Sequence, residues 1–571
     1  MTIDLGGKLH ARFLVLREQC SRFAAFVLPI ALALAGCAVP PHQADIGRPS
    51  AWSAPEIFVP PSSFSGVHGL VVDRQGRLLA GSVAGNAIWE VDRKTGAARP
   101  FIAGVKGQAD DIAVGPRGEL AWTSVLMGIL HYRESDTAPI RVLASDMPSI
   151  NGVGFDARNG KLYVSQTANT GPNDAVWEID RTGATQPRLI ARGIGSLNGF
   201  KVGPDGMLYG ALMFRGQAAK VDPANGKVTV IADGFRVPTG AGLDDKGNLW
   251  IVDSRTGELV AVDLLTGRKT VTKQLKPTID NMAISPEGTI YVSNMADNSV
   301  EAFEPSTGET RVLLHGKLSV PAGLKIEGNS LFVSDVFSFR EVDLKTGAVT
   351  DILRRLRDPE VLTPSGTGLS TTQFALASWI SGTVVVVDRA TRKGVATLSG
   401  LKQPYDAIPM DDGSVVYAEF ATGTVTRASG VGFAKRDVLA TGLGGPVQMV
   451  LAADGSALYI TEATAGKLTR ISLDGSPPRE IATGLKGPEG LSSTPWGSLA
   501  VAEVGAKRLV DIDAKTGAIS VIAAGLAIGQ APFPGAPAPY IPTGVAVSEN
   551  GTVYVSADLN NAIYRIRPQR P

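Results

Sequence analysis

The chain has 571 residues, with 55 basic and 54 acidic side chains, a net charge of +1 and no prominent basic run. That balance argues against nucleic acid as a partner. The only cysteines are Cys20 and Cys37. A mature chain that has lost Cys20 has no disulfide and no cysteine metal site.

The chain opens on a segment unlike the rest. Arg17 and Arg22 precede an apolar stretch from Phe23 to Ala35, the order of a secretory signal and too short for a membrane span. It ends in Leu34-Ala-Gly-Cys37, which resembles the lipobox of bacterial lipoproteins. The resemblance implies a signal peptide over 1–36 and lipidation of Cys37. It also implies a cell-envelope protein whose membrane partner is its own lipid anchor, at the periplasmic face of the outer membrane. The plainer alternative is an ordinary signal peptide with an incidental Cys37. Residues 37–55, rich in Pro, Ala and Ser, are expected to form a flexible tether.

From Phe64 onward a unit of about 42 residues recurs some twelve times. A glycine in the first turn marks the period: Gly76, Gly118, Gly160, Gly206, Gly247, Gly288, Gly328, Gly413, Gly455, Gly497 and Gly551. One copy, from Ser365 to Leu401, has Ser370-Thr-Thr-Gln373 in place of the glycine turn, and another carries a Pro/Gly/Ala insertion from Ala527 to Pro542. Short apolar runs such as Leu162-Tyr-Val-Ser165 and Leu249-Trp-Ile-Val252 alternate with turns, and no amphipathic helix is evident. Four short strands per unit is the signature of a β-propeller blade.

The expected fold is all-β, with twelve four-stranded blades in two tandem six-bladed β-propellers over 56–308 and 309–571. A seven-plus-five split is the less favoured option. Two closures are open. In one, the isolated strand Glu56-Ile-Phe-Val59 completes blade six and Thr310 to Leu314 completes blade twelve. In the other, the N-terminal strand completes blade twelve itself, and two crossings join the rings.

The first strand of each blade lines a propeller's channel, and small ligands bind at its mouth. In the first six units the mouth position holds His68, Asp110, Asn151, Asn198, Thr239 and Asp280; in the second six it holds Ala322, Ser365, Tyr405, Val447, Glu489 and Thr543. The first set is wholly polar, and its oxygens suit a hard divalent cation such as Ca²⁺ or Mg²⁺, with the imidazole also suiting Zn²⁺ or Mn²⁺. His68, the only histidine among the twelve, is the natural general base. Asp111 is expected to point away from Asp110, as strand neighbours do. Gln166 and Arg215 are candidate walls of the pocket, and the insertion 527–542 is a candidate lid over the second channel. The glycines of Gly193-Ile-Gly-Ser-Leu-Asn-Gly199 lie between strands with no helix to hold a phosphate, so no nucleotide cofactor is expected.

The blades Leu197-Asn-Gly-Phe-Lys-Val-Gly-Pro-Asp-Gly-Met-Leu-Tyr209 and Pro238-Thr-Gly-Ala-Gly-Leu-Asp-Asp-Lys-Gly-Asn-Leu-Trp250 resemble NHL-type and senescence-marker-protein/gluconolactonase-like propellers, and more weakly virginiamycin B lyase. The gluconolactonase-like resemblance implies a channel cation held by a Glu in blade one, Asn in blades three and four, and an Asp in blade five, and hydrolysis of lactones or related esters. Asn151 and Asn198 match the two Asn positions; His68 replaces the Glu and Thr239 the Asp. Such a site needs Asp110 or Asp280 to supply the missing carboxylate. The resulting expectation is a metal-dependent lactone or ester hydrolase. Its metal would rest on Asn151, Asn198 and Asp280, with His68 and Asp110 catalytic and Thr239, Arg215 and Gln166 against substrate. The alternative is a non-catalytic envelope scaffold that binds a protein, peptide or glycan through its faces.

Overall fold

The computed structural model describes residues 47–168 and 173–569. The signal peptide 1–36 and Cys37 lie outside the described residues. Within these limits the protein is built from twelve four-stranded antiparallel sheets, eleven of them in simple meander order, plus one two-stranded ribbon. Its described helices are 3₁₀ turns of three residues, and none is long and apolar enough to cross a membrane.

The sheets form two rings. The innermost strands of the first are Val67–Val72, Ile112–Val114, Ile150–Phe155, Leu197–Val202, Pro238–Leu243 and Ile279–Ile284. Each lies beside the next, and the sixth returns to the first. The second ring runs through Leu324–Glu327, Gly366–Leu369, Pro404–Pro409, Pro446–Leu451, Pro488–Ser493 and Val545–Val547, which returns to Leu324–Glu327. Blade eight forms without its turn glycine, because Ser370 Oγ accepts a hydrogen bond from Gln373 N at 3.1 Å and closes the turn.

Packing between neighbouring blades supplies the core. Tyr209 and Ala211 of blade four, for example, meet Ala241, Leu249 and Ile251 of blade five in one buried cluster. The fourth strands lie outermost and expose single apolar residues such as Val142, Val230 and Val271.

The second of the two expected closures is the one adopted. Glu56–Val59 pairs antiparallel with Ala562–Ile566 and completes blade twelve. Glu309–Leu314 stays in blade six, paired with Ser299–Glu304. The boundary expected at 308/309 is therefore corrected. Residues 309–314 belong to the first ring, and 56–59 to the second. The chain crosses between rings twice, and the crossings run side by side, with Ser62 Oγ donating to Leu318 O at 2.9 Å. Two turn asparagines clamp them. Asn298 Oδ1 accepts from Gly66 N at 2.9 Å while its amide donates to Ser62 Oγ at 2.8 Å and Ser319 O at 3.0 Å. Asn561 Nδ2 donates to Ser65 Oγ at 3.1 Å. These bonds seal the seam of the first ring, which has no strand exchange of its own.

The tether is corrected in part as well. Ala51–Trp52 pairs with Pro568–Gln569, and Trp52 lies 5.8 Å from Trp496. Arg48 Nε donates to the buried Asp511 at 2.7 Å. Residues 48–52 are thus docked on the second propeller; 37–46 lie outside the described residues.

Candidate functional site

All six first-ring mouth residues, His68, Asp110, Asn151, Asn198, Thr239 and Asp280, line one cavity of about 260 Å³. Local strand geometry turns them there. In blades one, three, four, five and six, register slips next to the mouth residue, for instance between Ile150 and Val153 and between Ile279 and Met282. Such a bulge frees one residue from the ladder and re-aims its side chain. A glycine follows the mouth residue in four of these blades because the next inner strand approaches closely. A Cβ on Gly152 would lie 2.3 Å from Asn198 O.

Asp111 turns into the wall, as expected. Its carboxylate accepts from Val153 N at 3.1 Å and from Asn281 Nδ2 at 3.1 Å, tying three blades together. Thr239 Oγ1 is spent on Asp280 O at 2.8 Å and lies 3.0 Å from Ser254 Oγ. Gln166 and Arg215 do not line the cavity. Gln166 is held between Pro148 O and the Trp177 indole, and Arg215 donates to Gly193 O at 2.9 Å.

The centre of the site is His68. Its Nδ1 lies 3.1 Å from Asp110 Oδ1 and 3.1 Å from Asp280 Oδ2. Burial alone pulls the imidazole down. The charge of Asp280, hydrogen bonds to both carboxylates and the charge of Asp110 overcome it and push His68 up to about 10. Burial raises Asp110, against the opposing hydrogen bond from His68. His68 is therefore an imidazolium at neutral pH, with no lone pair to accept a proton. In that state it does not serve the general-base role expected for it.

The roof of the cavity comes from the other propeller. Val336, Phe337, Arg355, Leu356, Thr363 and Ile380, all of the second ring, complete its lining. Phe337 sits 5.5 Å from the His68 ring, in a seat that only glycine allows: Gly66 has φ +73, and a Cβ there would be 2.2 Å from the Phe337 ring. Arg355 is held by its neighbours. Arg355 N donates to Phe337 O at 3.0 Å, and Thr278 Oγ1 donates to Arg355 O at 3.1 Å. Next to it, the fully buried Arg354 donates to Asp297, Asn294 and Pro277 O of the first propeller and to Asp351 of its own, all within 3.0 Å. Asp297 also faces Arg340 at 3.2 Å and Lys276 at 3.0 Å. Although burial opposes it, this cationic surround holds the Asp297 carboxyl far below the usual carboxylate range. An apolar cluster including Val83, Met295, Val320, Phe337, Tyr540 and Ile541 completes the contact between the rings.

Arg355 and Phe337 were not legible as site residues, because they reach the first channel only through docking of the rings. A signal did exist. Arg354, Arg355 and Arg357 crowd the end of the outer strand Val349–Arg354.

A divalent cation does not fit these residues. The two carboxylates that would bind it already flank the protonated His68 Nδ1, and Arg355 brings a second positive charge to the same cavity. Only the amide oxygens of Asn151 and Asn198 remain of the expected ligand set, too few and too weak for a hard cation. Among the described residues no group of three or more His, Cys, Asp or Glu has a geometry that could hold a metal ion.

The second channel differs. Its mouth residues leave a space of about 10 Å³. The insertion 527–542 fills it: Tyr405 Oη donates to Pro539 O, the Trp379 indole donates to Tyr540 O at 2.9 Å, and Tyr540 packs edge-on against Phe533 and Trp379.

Residues 112–322 match the family described as SMP-30/Gluconolactonase/LRE-like region. This gluconolactonase-like segment runs from the inner strand of blade two to the mouth of blade seven, so His68 and Arg355 lie outside it. No curated protein sequence matches the chain. Among solved structures it is similar to a catalytically inactive virginiamycin B lyase from Staphylococcus aureus with quinupristin, at 14% identity over 58% of this chain and 94% of that one, TM-score 0.32. It is also similar to the extracellular domain of a hybrid two-component system from B. thetaiotaomicron, at 12% identity over 91% and 84%, TM-score 0.31. A third is the tricorn protease, at 12% identity over 89% and 61%, TM-score 0.33.

Proposed function

We propose that this protein is a non-catalytic binding protein of the cell envelope, anchored by lipid at Cys37, whose first channel takes a small molecule under the roof of the second propeller. The position of His68 carries this reading. With Nδ1 at 3.1 Å from both Asp110 and Asp280, the cation position of the channel is taken by a side chain. Both carboxylates are engaged there and Thr239 is hydrogen-bonded. What is left is a concave, mixed apolar and polar pocket, the ordinary form of a small-ligand site. The alternative, a divalent-metal-dependent lactone or ester hydrolase, draws on the match of residues 112–322 alone.

The test is thermal melting with EDTA, Ca²⁺, Mn²⁺ or Zn²⁺, together with a lactone and ester hydrolysis screen. The expected result is no metal-dependent shift and no hydrolysis above background. A metal at one hundred times its dissociation constant would stabilise by about 2.7 kcal/mol. A shift of that kind, abolished by Asn198→Ala, with metal-dependent turnover, would restore the hydrolase. Cys37→Ser is expected to release the protein from the membrane fraction, and retention there would remove the anchor from the proposal.

A further inference from the structure

The roofed channel contains more hydrogen-bond donors than the protein itself uses. The Arg355 guanidinium lines the cavity without a hydrogen bond or close ion pair to any described residue, and it feels the charges of Asp280 and Asp110 across the cavity. Arg354 beside it is saturated by carboxylates, an amide and a carbonyl. The buried His68 Nε2 also has no partner among the described residues. Among the described residues the Asn151 side chain has no hydrogen-bond partner, and the Asn198 amide reaches only the Met213 sulfur at 3.3 Å. A donor that faces a cavity without an acceptor is costly, so Arg355, His68 Nε2 and Asn151, with the weakly used Asn198 amide, call for an acceptor-rich guest.

We infer that the inter-propeller cavity is a binding site for a small monocarboxylate with an apolar body, anchored by Arg355 of the second propeller and received by His68 Nε2, Asn151 and Asn198 of the first. The inference rests on reading the first channel as a binding site. Three features select the class. The planar guanidinium fork pairs with a carboxylate through two parallel bonds, which a neutral amide cannot match. Much of the remaining lining is apolar, with Val83, Leu126, Met213 and Phe337 available to an aliphatic or aromatic body. A volume of about 260 Å³ admits a molecule of benzoate size and excludes large ligands. The site is shared, so the first propeller alone lacks its anchor.

The test titrates the full-length chain with acetate, hexanoate, benzoate and phenylacetate, each against its neutral amide, by calorimetry and by melting. At least one of the larger acids is expected to bind at millimolar concentration or below and to raise the melting temperature, while its amide binds at least tenfold more weakly. Arg355→Gln is expected to weaken that acid at least tenfold. Arg357→Gln, two residues away, is the control and should retain binding. The inference fails if no acid binds, if acid and amide bind alike, or if Arg355→Gln binds as the unaltered protein does. Metal-dependent hydrolysis would sink the non-catalytic reading instead, and the two failures are read in separate assays.

Discussion

The two propellers share a blade plan and differ at their mouths. The first channel keeps a cavity of about 260 Å³ around an imidazolium between two carboxylates; the second retains about 10 Å³ beneath an aromatic plug. In both rings an aspartate one residue past the mouth ties adjacent blades. Asp111 accepts from Val153 N at 3.1 Å and Asp406 from Met449 N at 2.9 Å. The difference teaches that the ring is held by a layer of buried hydrogen bonds below the mouth, which leaves the mouth free to differ. Here one ring uses that freedom for a polar pocket, and the other for loops that close its own channel and roof its neighbour's.

The roof is where this comparison breaks most easily. Arg354 is fully buried, and Asp297 is its main counter-charge across the ring-to-ring contact. Asp297→Ala should cost about 3–5 kcal/mol in a denaturant melt, since it strands buried cations. The pH dependence has a definite sign. Asp297 is held far below the usual carboxylate range, so its contribution is complete at neutral pH and is lost as pH falls below about 4 and through its folded value. A loss under 1 kcal/mol would mean that the apolar cluster alone holds the rings together.

The plug comes next. Tyr540 is buried and packs on Phe533 and Trp379. Tyr540→Ala should cost about 3 kcal/mol, by analogy with large aromatic truncations in cores. It should also open the second mouth. If a small apolar probe then binds the variant and not the unaltered protein, the second channel is closed by this plug and not by its own mouth residues.

The repeat made the strands, the blade count and the mouth positions legible, because turn glycines and alternating apolar runs are local signals. All six first-ring positions do converge. Ring closure was not legible. Glu56–Val59 and Glu309–Leu314 are both mostly exposed or half-buried with a single buried residue, as suits outer strands, and pairing alone decides between them. The state of His68 was not legible either. A lone histidine near neutrality reads as a base, and only the approach of carboxylates from blades two and six makes it a cation. Arg355 was hidden for a third reason, since it belongs to a blade of the other ring.

The charge of His68 can be read from stability. A folded value of about 10 stands above the ordinary 6.5, so the contribution is complete below about pH 6.5 and is lost as pH rises through about 10. The raised Asp110 in the same cluster offsets part of it. A decline of about 1–2 kcal/mol between pH 7 and 9 is expected in the unaltered protein and absent in His68→Gln. A flat profile in both would return His68 to the neutral state, and with it the possibility of a base in the first channel and none in the second.

The smallest effect concerns how the second ring is latched. Its twelfth blade is completed by Glu56–Val59, and the residues before that strand add a ribbon, a tryptophan pair and the Arg48 to Asp511 contact. Arg48 is substantially exposed while Asp511 is buried and also accepts from the Trp496 indole at 3.2 Å. Arg48→Ala therefore leaves Asp511 with another partner, and the exposed half of the pair is screened by water. The expected loss is under about 1 kcal/mol, with carboxylate binding in the first channel unchanged. A larger loss confined to the second ring, seen as a separate unfolding step, would show that the segment before blade twelve is part of the latch. The two rings would then differ in how they are closed as much as in what their mouths contain.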